Sequence, residues 1–136
     1  MRIIEIDATP QRRGSYLIYV DREPVVLQGR LFSALVKLAC ARSHSGGWTR
    51  YSDLAPDPEG TGRNAQIVIH ALRRILGFDR RELEVHPCVG YRLGRGVRVQ
   101  IPRPAIERLR RHEDWTVRKL FKRERRFKTP CSFWMI

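Results

Sequence analysis

The sequence predicts a small α+β domain in which N-terminal antiparallel strands precede three helices, a C-terminal β-hairpin and a basic helical extension. Three observations support this fold class. Apolar residues alternate over the first 30 residues, recur at helical spacing from Leu31 to Leu76, and alternate again over residues 82–93. The 136-residue chain is 42% hydrophobic and 30% charged, which suffices for one modest core and excludes a wholly disordered chain.

Residues 1–28 are expected to form the N-terminal strands. Ile4 and Ile6 alternate with charged residues, and residues 16–20 are rich in β-branched and aromatic types. The apolar period becomes helical at Leu31, so we expect a first helix that ends in the Gly-containing stretch 43–47.

Two further helices are expected between residues 49 and 77. Thr49 is predicted to cap a short helix over 51–54, and Thr61 is predicted to cap a longer helix over about 61–76 that ends at Gly77. The longer helix carries an apolar stripe that we expect in the core, made of Ala65, Val68, Ile69, Leu72, Ile75 and Leu76.

The hairpin and the extension are predicted to meet near residue 96. Alternation predicts the hairpin over about 83–93. Residues 97–136 are expected to form a basic helical extension with two helical stretches broken near 112–114, the second capped by Asp114 or Thr116.

The charge balance indicates an anionic partner. Lys and Arg total 27 against 14 Asp and Glu, a net charge of +13, and 23 of the cations are Arg. Such a field favours nucleic acid or a membrane surface. The preference for Arg fits contacts with phosphates and guanine edges, or reflects a genome rich in Arg codons; the sequence leaves both open.

Several functional classes lack their sequence signals. The three cysteines are widely spaced without a C-x-x-C pair, and the four histidines do not complete a zinc motif. We therefore expect no metal, no cofactor and no disulfide framework. No catalytic constellation, signal peptide or membrane-spanning stretch is found, so we expect a cytoplasmic protein that is not an enzyme.

The outer face of the 61–76 helix carries the residue types that read a DNA major groove. Arg can bind phosphates or guanine edges, Gln can pair with adenine, and a β-branched side chain can contact a thymine methyl group. The alternative interpretation is a basic helix face that contacts only solvent. The face presents Arg63, Ile67, His70 and Arg74, flanked by Gln66 and Arg73.

Four segments together resemble the winged-helix DNA-binding domain of the OmpR/PhoB class of response regulators. They are LFSALVKLA at 31–39, WTRYSDL at 48–54, RNAQIVIHALRRIL at 63–76 and VGYRL at 89–93. The resemblance covers residues 24–94, about half the chain. It implies a winged helix-turn-helix domain over 1–96, with 61–76 as recognition helix and 83–93 as wing.

The resemblance also implies where DNA contacts lie. It assigns recognition contacts to Arg63, Ile67, Val68, His70, Ala71 and Arg73. Periodicity turns Val68 and Ala71 away, so we predict contacts by Arg63, Gln66, Ile67, His70, Arg73 and Arg74. At the wing tip Pro87 and Cys88 stand where the family has a basic residue and a glycine, so the substitutes are expected to be His86, Arg92 or Arg95.

Half of the excess charge lies in the extension, where residues 103–128 carry 11 cations and 4 anions. One interpretation is a second arm that contacts DNA or a partner around Arg118, Lys119 and Lys122, continuing to 126. Another is a solvated helix face held down by Trp115, Leu120 and Phe121. A membrane-surface role for the apolar end 133–136 is the least favoured interpretation.

The function predicted from these patterns is a sequence-specific, double-stranded-DNA-binding transcriptional regulator without a receiver domain. The resemblance implies a homodimer on DNA. The alternative is an adaptor that uses the winged helix and the basic extension to bind RNA polymerase or another regulator. No membrane partner is expected.

Overall fold

The computed structural model describes residues 1–42, 47–122 and the backbone of 133–135. The expected end of the first helix at 43–46 and the cations at 123–128 lie outside the described residues, as does Ile136.

The described chain is an α+β fold with one mixed sheet and a separate hairpin. The strands are β1 (Arg2–Pro10), β2 (Ser15–Val20), β3 (Glu23–Gln28), β4 (Leu83–His86), β5 (Gly90–Leu93), β6 (Val97–Pro102) and β7 (Phe133–Met135). The helices are α1 (Gly29–Ala41), α2 (Tyr51–Leu54), α3 (Arg63–Leu76), α4 (Arg103–Arg110) and α5 (Trp115–Arg118), and short 3-10 turns occupy Arg12–Gly14 and Lys119–Phe121.

The mixed sheet has the order β3-β2-β1-β6-β7. β1, β2 and β3 are antiparallel neighbours, as predicted, whereas β6 runs parallel to β1 and β7 antiparallel to β6. Ile4 faces Val20 on one side and Val99 on the other, and all three side chains are buried. Strand alternation thus gives the sheet one apolar face, which α1 and α4 cover.

The opposite face of the sheet carries more exposed side chains. Ile3, Val26 and Arg98 are exposed there; Arg98 lies between the buried Val97 and Val99 and pairs with Ile3. Arg98 therefore points away from the helices, so a substitution there removes a charge without touching the helices.

The helix starts differ from the predictions at two threonines. α2 begins after Arg50 without a side-chain cap, because Thr49 forms a backbone bridge with Tyr91 instead. In the described part of the chain, the buried Thr49 Oγ1 has no hydrogen-bond partner. α3 begins at Arg63 after a left-handed Gly62, so Thr61 is not its N-cap, although the Thr61 hydroxyl accepts the Arg63 amide at 3.2 Å.

The expected helical extension begins instead with strand β6. Val97, Val99 and Ile101 are buried in the sheet, so residues 97–102 of the expected helical extension form a strand, and the first helix of the extension starts at Arg103. The break near 112–114 is confirmed, and Asp114 caps α5 by accepting the Thr116 amide at 2.9 Å.

One hydrophobic cluster joins both parts of the sequence. Leu109 and Phe121 from the C-terminal region are fully buried together with Ile6, Leu38 and Leu72. Residues 97–122 therefore belong to the same packed unit as residues 1–96. Among the described residues, no helix is long and apolar enough to cross a membrane.

Candidate nucleic-acid interface

Helix α3 has the inner face that the periodicity predicts, with one correction. Ala65, Val68, Ile69, Leu72 and Leu76 are buried against α1 and α2. Ile75 was expected in this stripe but its side chain is 47% exposed. It lies at the border of the stripe, whereas Leu76 in the same last turn faces the core and is buried.

The outer face of α3 presents five of the six side chains predicted to contact DNA. All five are exposed, and Ile67 at the centre is 57% exposed. Within the described ranges none of these side chains makes a hydrogen bond or an ion pair with another protein group. We call this surface the α3 outer face; it consists of Arg63, Gln66, Ile67, His70 and Arg74.

Arg73, the sixth predicted contact, has a different environment from its neighbour Arg74. Its Nη2 donates to the Leu83 carbonyl at 2.6 Å, and its Nε is buried without a hydrogen-bond partner among the described residues. The guanidinium thus joins α3 to the first residue of β4. A side chain held in this way is less available to DNA than that of Arg74, which is fully at the surface.

The C-terminal end of α3 is fixed by Arg2, which the sequence analysis did not identify. Its Nη1 donates to the Leu76 carbonyl at 3.1 Å and its Nη2 to the Gly77 carbonyl at 2.9 Å. Its Nε also lies 3.1 Å from a Glu82 carboxylate oxygen. A cation at this position satisfies free carbonyls and complements the helix dipole. No local pattern could have revealed it, because Arg2 lies 74 residues before Leu76.

The N-terminal end of α3 is held by the preceding loop. Asn64 Nδ2 donates to the Pro56 carbonyl at 2.8 Å, and the Thr61 hydroxyl donates to Asp57 Oδ2 at 2.8 Å. The Thr61 hydrogen bond is the leading cause that lowers the pKa of the Asp57 carboxyl. With both ends fixed, the α3 outer face has a defined orientation on the domain.

The β4–β5 hairpin lies beside α2 and is attached to it at two points. Thr49 and Tyr91 exchange backbone hydrogen bonds of 2.8 and 2.9 Å. The Tyr51 hydroxyl lies 3.0 Å from the His86 carbonyl and 2.9 Å from the Pro87 carbonyl. Gly90 has φ +148°, and a Cβ there would lie 2.0 Å from the Thr49 carbonyl oxygen. A glycine is therefore required for this close approach.

The hairpin residues predicted to contact DNA have unequal freedom. Arg92 pairs with Glu84, and its guanidinium lies 4.4 Å from the centre of the Trp48 ring. The His86 ring lies nearly perpendicular to the same ring, at 5.8 Å between centroids. Arg95, in the turn between β5 and β6, is exposed. Arg92 and His86 thus pack against Trp48, whereas Arg95 is a surface cation.

An open groove separates the N-terminal half of α3 from the hairpin. Tyr51 and Tyr91 form part of its wall, and Gln66 of the α3 outer face borders it together with Val85 and Val89 of the hairpin. Gln66 is therefore placed where a ligand on α3 would also meet the hairpin.

The predicted C-terminal contacts Arg118, Lys119 and Lys122 lie outside α3 and are described as a separate surface. The Arg118 Nη1 donates to the His112 carbonyl at 3.2 Å, the Lys119 ammonium lies 4.8 Å from the centre of the Trp115 ring, and Lys122 is exposed. Arg118 lies on α5, which contacts α1 and α4, and the two lysines follow it in the chain.

Comparisons with known proteins give no relative: no protein-family model, no curated protein and no solved structure matches the chain. In the described part of the chain, no group of three or more His, Cys, Asp or Glu side chains is arranged to hold a metal ion.

Proposed function

We propose that the protein is a sequence-specific, double-stranded-DNA-binding transcriptional regulator that reads the major groove with the α3 outer face. In this proposal α1, α2 and α3 with the β4–β5 hairpin form a winged helix-turn-helix unit. The observation that carries the proposal is an exposed Ile67 surrounded by donors that have no protein partner in the described chain.

The chemistry of this face corresponds to the edges of base pairs. Arg63 and Arg74 suit guanine or phosphate, Gln66 suits adenine, and Ile67 suits a thymine methyl group. His70 supplies one more polar group on the same face. A face that only kept the helix in water would gain nothing from an exposed isoleucine, whereas a thymine methyl group would cover it.

The attachments of α3 support base reading because they fix the face before DNA binds. Arg2 holds one end and Asn64 holds the other. A preordered face loses less conformational entropy on binding. The net charge of +13 adds general attraction to phosphates. In the hairpin, Arg95 is proposed as a phosphate contact, and Arg92 and His86 orient the hairpin through Trp48.

The test compares variants that remove the same charge from different surfaces. Arg74→Ala and Arg63→Ala should each weaken binding to a selected duplex by about 1–3 kcal/mol if the side chain reads a base. The control is Arg98→Ala, which removes one charge from the sheet face that points away from the helices. Fluorescence anisotropy at fixed salt measures all three. Equal losses in the three variants would show general charge attraction only and would contradict the proposal.

A further inference from the structure

The segment 115–122 has a regular division between buried and exposed side chains. Val117 and Phe121 are buried in the core, and Leu120 packs against it. The exposed side chains come from α5, from the 3-10 turn that follows it and from the residue directly after that turn. We call this the Trp115 surface; it consists of Trp115, Arg118, Lys119 and Lys122.

The unusual member of this surface is Trp115, whose side chain is 58% exposed. It is the one aromatic residue among the strongly exposed large apolar residues of the described chain. The Lys119 ammonium lies over its ring at 4.8 Å, and more than half of the side chain stays exposed beside this cation. A solvated basic helix needs no tryptophan, whereas Trp and Arg are enriched where a protein interface is strongest.

Glu113 and Asp114, the carboxylates next to Trp115 in the sequence, form no ion pair with these cations among the described residues. Glu113 accepts a hydrogen bond from the Tyr16 hydroxyl at 2.8 Å. Asp114 accepts from the Thr116 amide at 2.9 Å and from its hydroxyl at 2.6 Å. Among the described residues, no ion pair involves Lys119 or Lys122. The surface therefore offers positive charge together with a large apolar group.

We propose that the Trp115 surface binds an acidic, amphipathic segment of a partner protein. Carboxylates of the segment pair with Lys119, Lys122 and Arg118, and an apolar side chain packs on the exposed part of Trp115. Charge complementarity and an apolar anchor are both supplied by such a segment. A DNA duplex would supply the negative charge, but its bases are stacked and present no face for the indole.

This inference goes beyond the proposed function and rests on different residues. No member of the Trp115 surface lies on α3 or on the hairpin. DNA binding through α3 and segment binding through Trp115 therefore respond to different substitutions, and either one can fail alone.

The experiment titrates the full chain into a labelled peptide in which Asp and Glu alternate with Leu and Phe. The matched control peptide has Asn and Gln in place of Asp and Glu. The acidic peptide should bind and the control peptide should not. Trp115→Ala and Lys119→Glu should each weaken the binding at least about tenfold, which is the range of a central interface residue. Arg98→Glu, the same charge change on the other side of the sheet, should change it less than about twofold.

Three results would overturn the inference. Equal weakening by Arg98→Glu and Lys119→Glu, or no effect of Trp115→Ala, would show general attraction alone. Weaker binding of Trp115→Ala to a DNA duplex, or to phosphatidylglycerol vesicles, with peptide binding unchanged, would assign the surface to that ligand instead. Because Trp115 and Lys119 are exposed, the variants should keep the fold, which thermal melting checks. Arg74→Ala should weaken binding to the DNA duplex and leave binding to the acidic peptide unchanged.

Discussion

The α3 outer face and the Trp115 surface are both cationic and both carry one exposed apolar side chain, but they differ in what that side chain is. On α3 it is Ile67, which has the size to meet a methyl group between donors on a long, fixed helix. On the C-terminal segment it is Trp115, a large ring with a lysine on one face. The comparison teaches that the apolar residue within a basic surface, more than the charge, indicates the class of partner.

The two surfaces are supported by the same hydrophobic core, because the buried side chains beneath both belong to one cluster. Leu72 lies under the α3 outer face and Phe121 under the Trp115 surface. A substitution in the core beneath either surface should therefore lower the stability of the whole domain. A substitution of an exposed residue on either surface should alter binding alone.

The largest expected effect is that of Phe121→Ala, which should lower the free energy of unfolding by about 3–5 kcal/mol. Leu72→Ala should lower it by roughly 2–5 kcal/mol, for the same reason of a lost contact and a residual cavity. Urea unfolding should give a single transition in both variants. Lys122→Ala is the control and should change the stability by less than about 0.5 kcal/mol. Two separate transitions, or an unchanged midpoint for Phe121→Ala, would show that the C-terminal segment is a separate unit.

Two adjacent arginines should separate stability from binding. Arg73→Ala removes the hydrogen bond to the Leu83 carbonyl and should cost about 1–3 kcal/mol of folding stability. Arg74→Ala has no such contact and should stay within about 0.5 kcal/mol of the wild type. The loss of DNA affinity should have the opposite order. Once affinity is corrected for the folded fraction, Arg74→Ala should weaken binding more than Arg73→Ala. If Arg73→Ala melts like the wild type, the anchoring role assigned to Arg73 is wrong.

A smaller effect should follow from pH through His112, which is 5% exposed and packs against the rings of Tyr16 and Phe32. Its Nδ1 accepts the Asp114 amide at 3.0 Å, and its Nε2 has no hydrogen-bond partner in the described chain. Burial lowers the pKa of His112 against the opposing charges of Asp114 and Glu113.

Because the folded pKa lies below the unfolded value of about 6.5, the unfolded chain binds more protons in this range. The stability that His112 contributes is present above that value and should fall as the pH drops below it. His112→Leu should flatten the dependence measured by urea unfolding, whereas His70→Gln, at an exposed position, should leave it unchanged. A dependence that is equally steep in His112→Leu would assign the effect to other groups.

Much of the fold could be predicted because its signals are local and periodic. The alternation of Ile4 and Ile6 gives β1, and the stripe around Leu72 gives α3. Val97, Val99 and Ile101 also alternate, so β6 has a local signal, although the sequence analysis places these residues in a helical extension. The parallel pairing of β6 with β1 is non-local, and no pattern in the sequence specifies it.

Helical periodicity predicts which side chains of α3 face outward, but not the contacts that these side chains make at the borders of the face. The centre of the α3 outer face, around Ile67, lies as predicted, but the two borders do not. Ile75 lies outside the core and Arg73 is held by a carbonyl, because helix ends and neighbouring strands decide the borders. The anchoring of α3 by Arg2 depends on distant residues and has no local signal.

The central claim, that the α3 outer face reads base sequence, is tested most directly by selecting bound duplexes from a random library with the wild type and with Arg74→Ala and Gln66→Ala. The account predicts one enriched motif for the wild type. Each variant should lose the preference at one position of that motif and keep the rest, because each side chain contacts its own base pair. No enrichment for the wild type, or an identical motif in all three proteins, would contradict it.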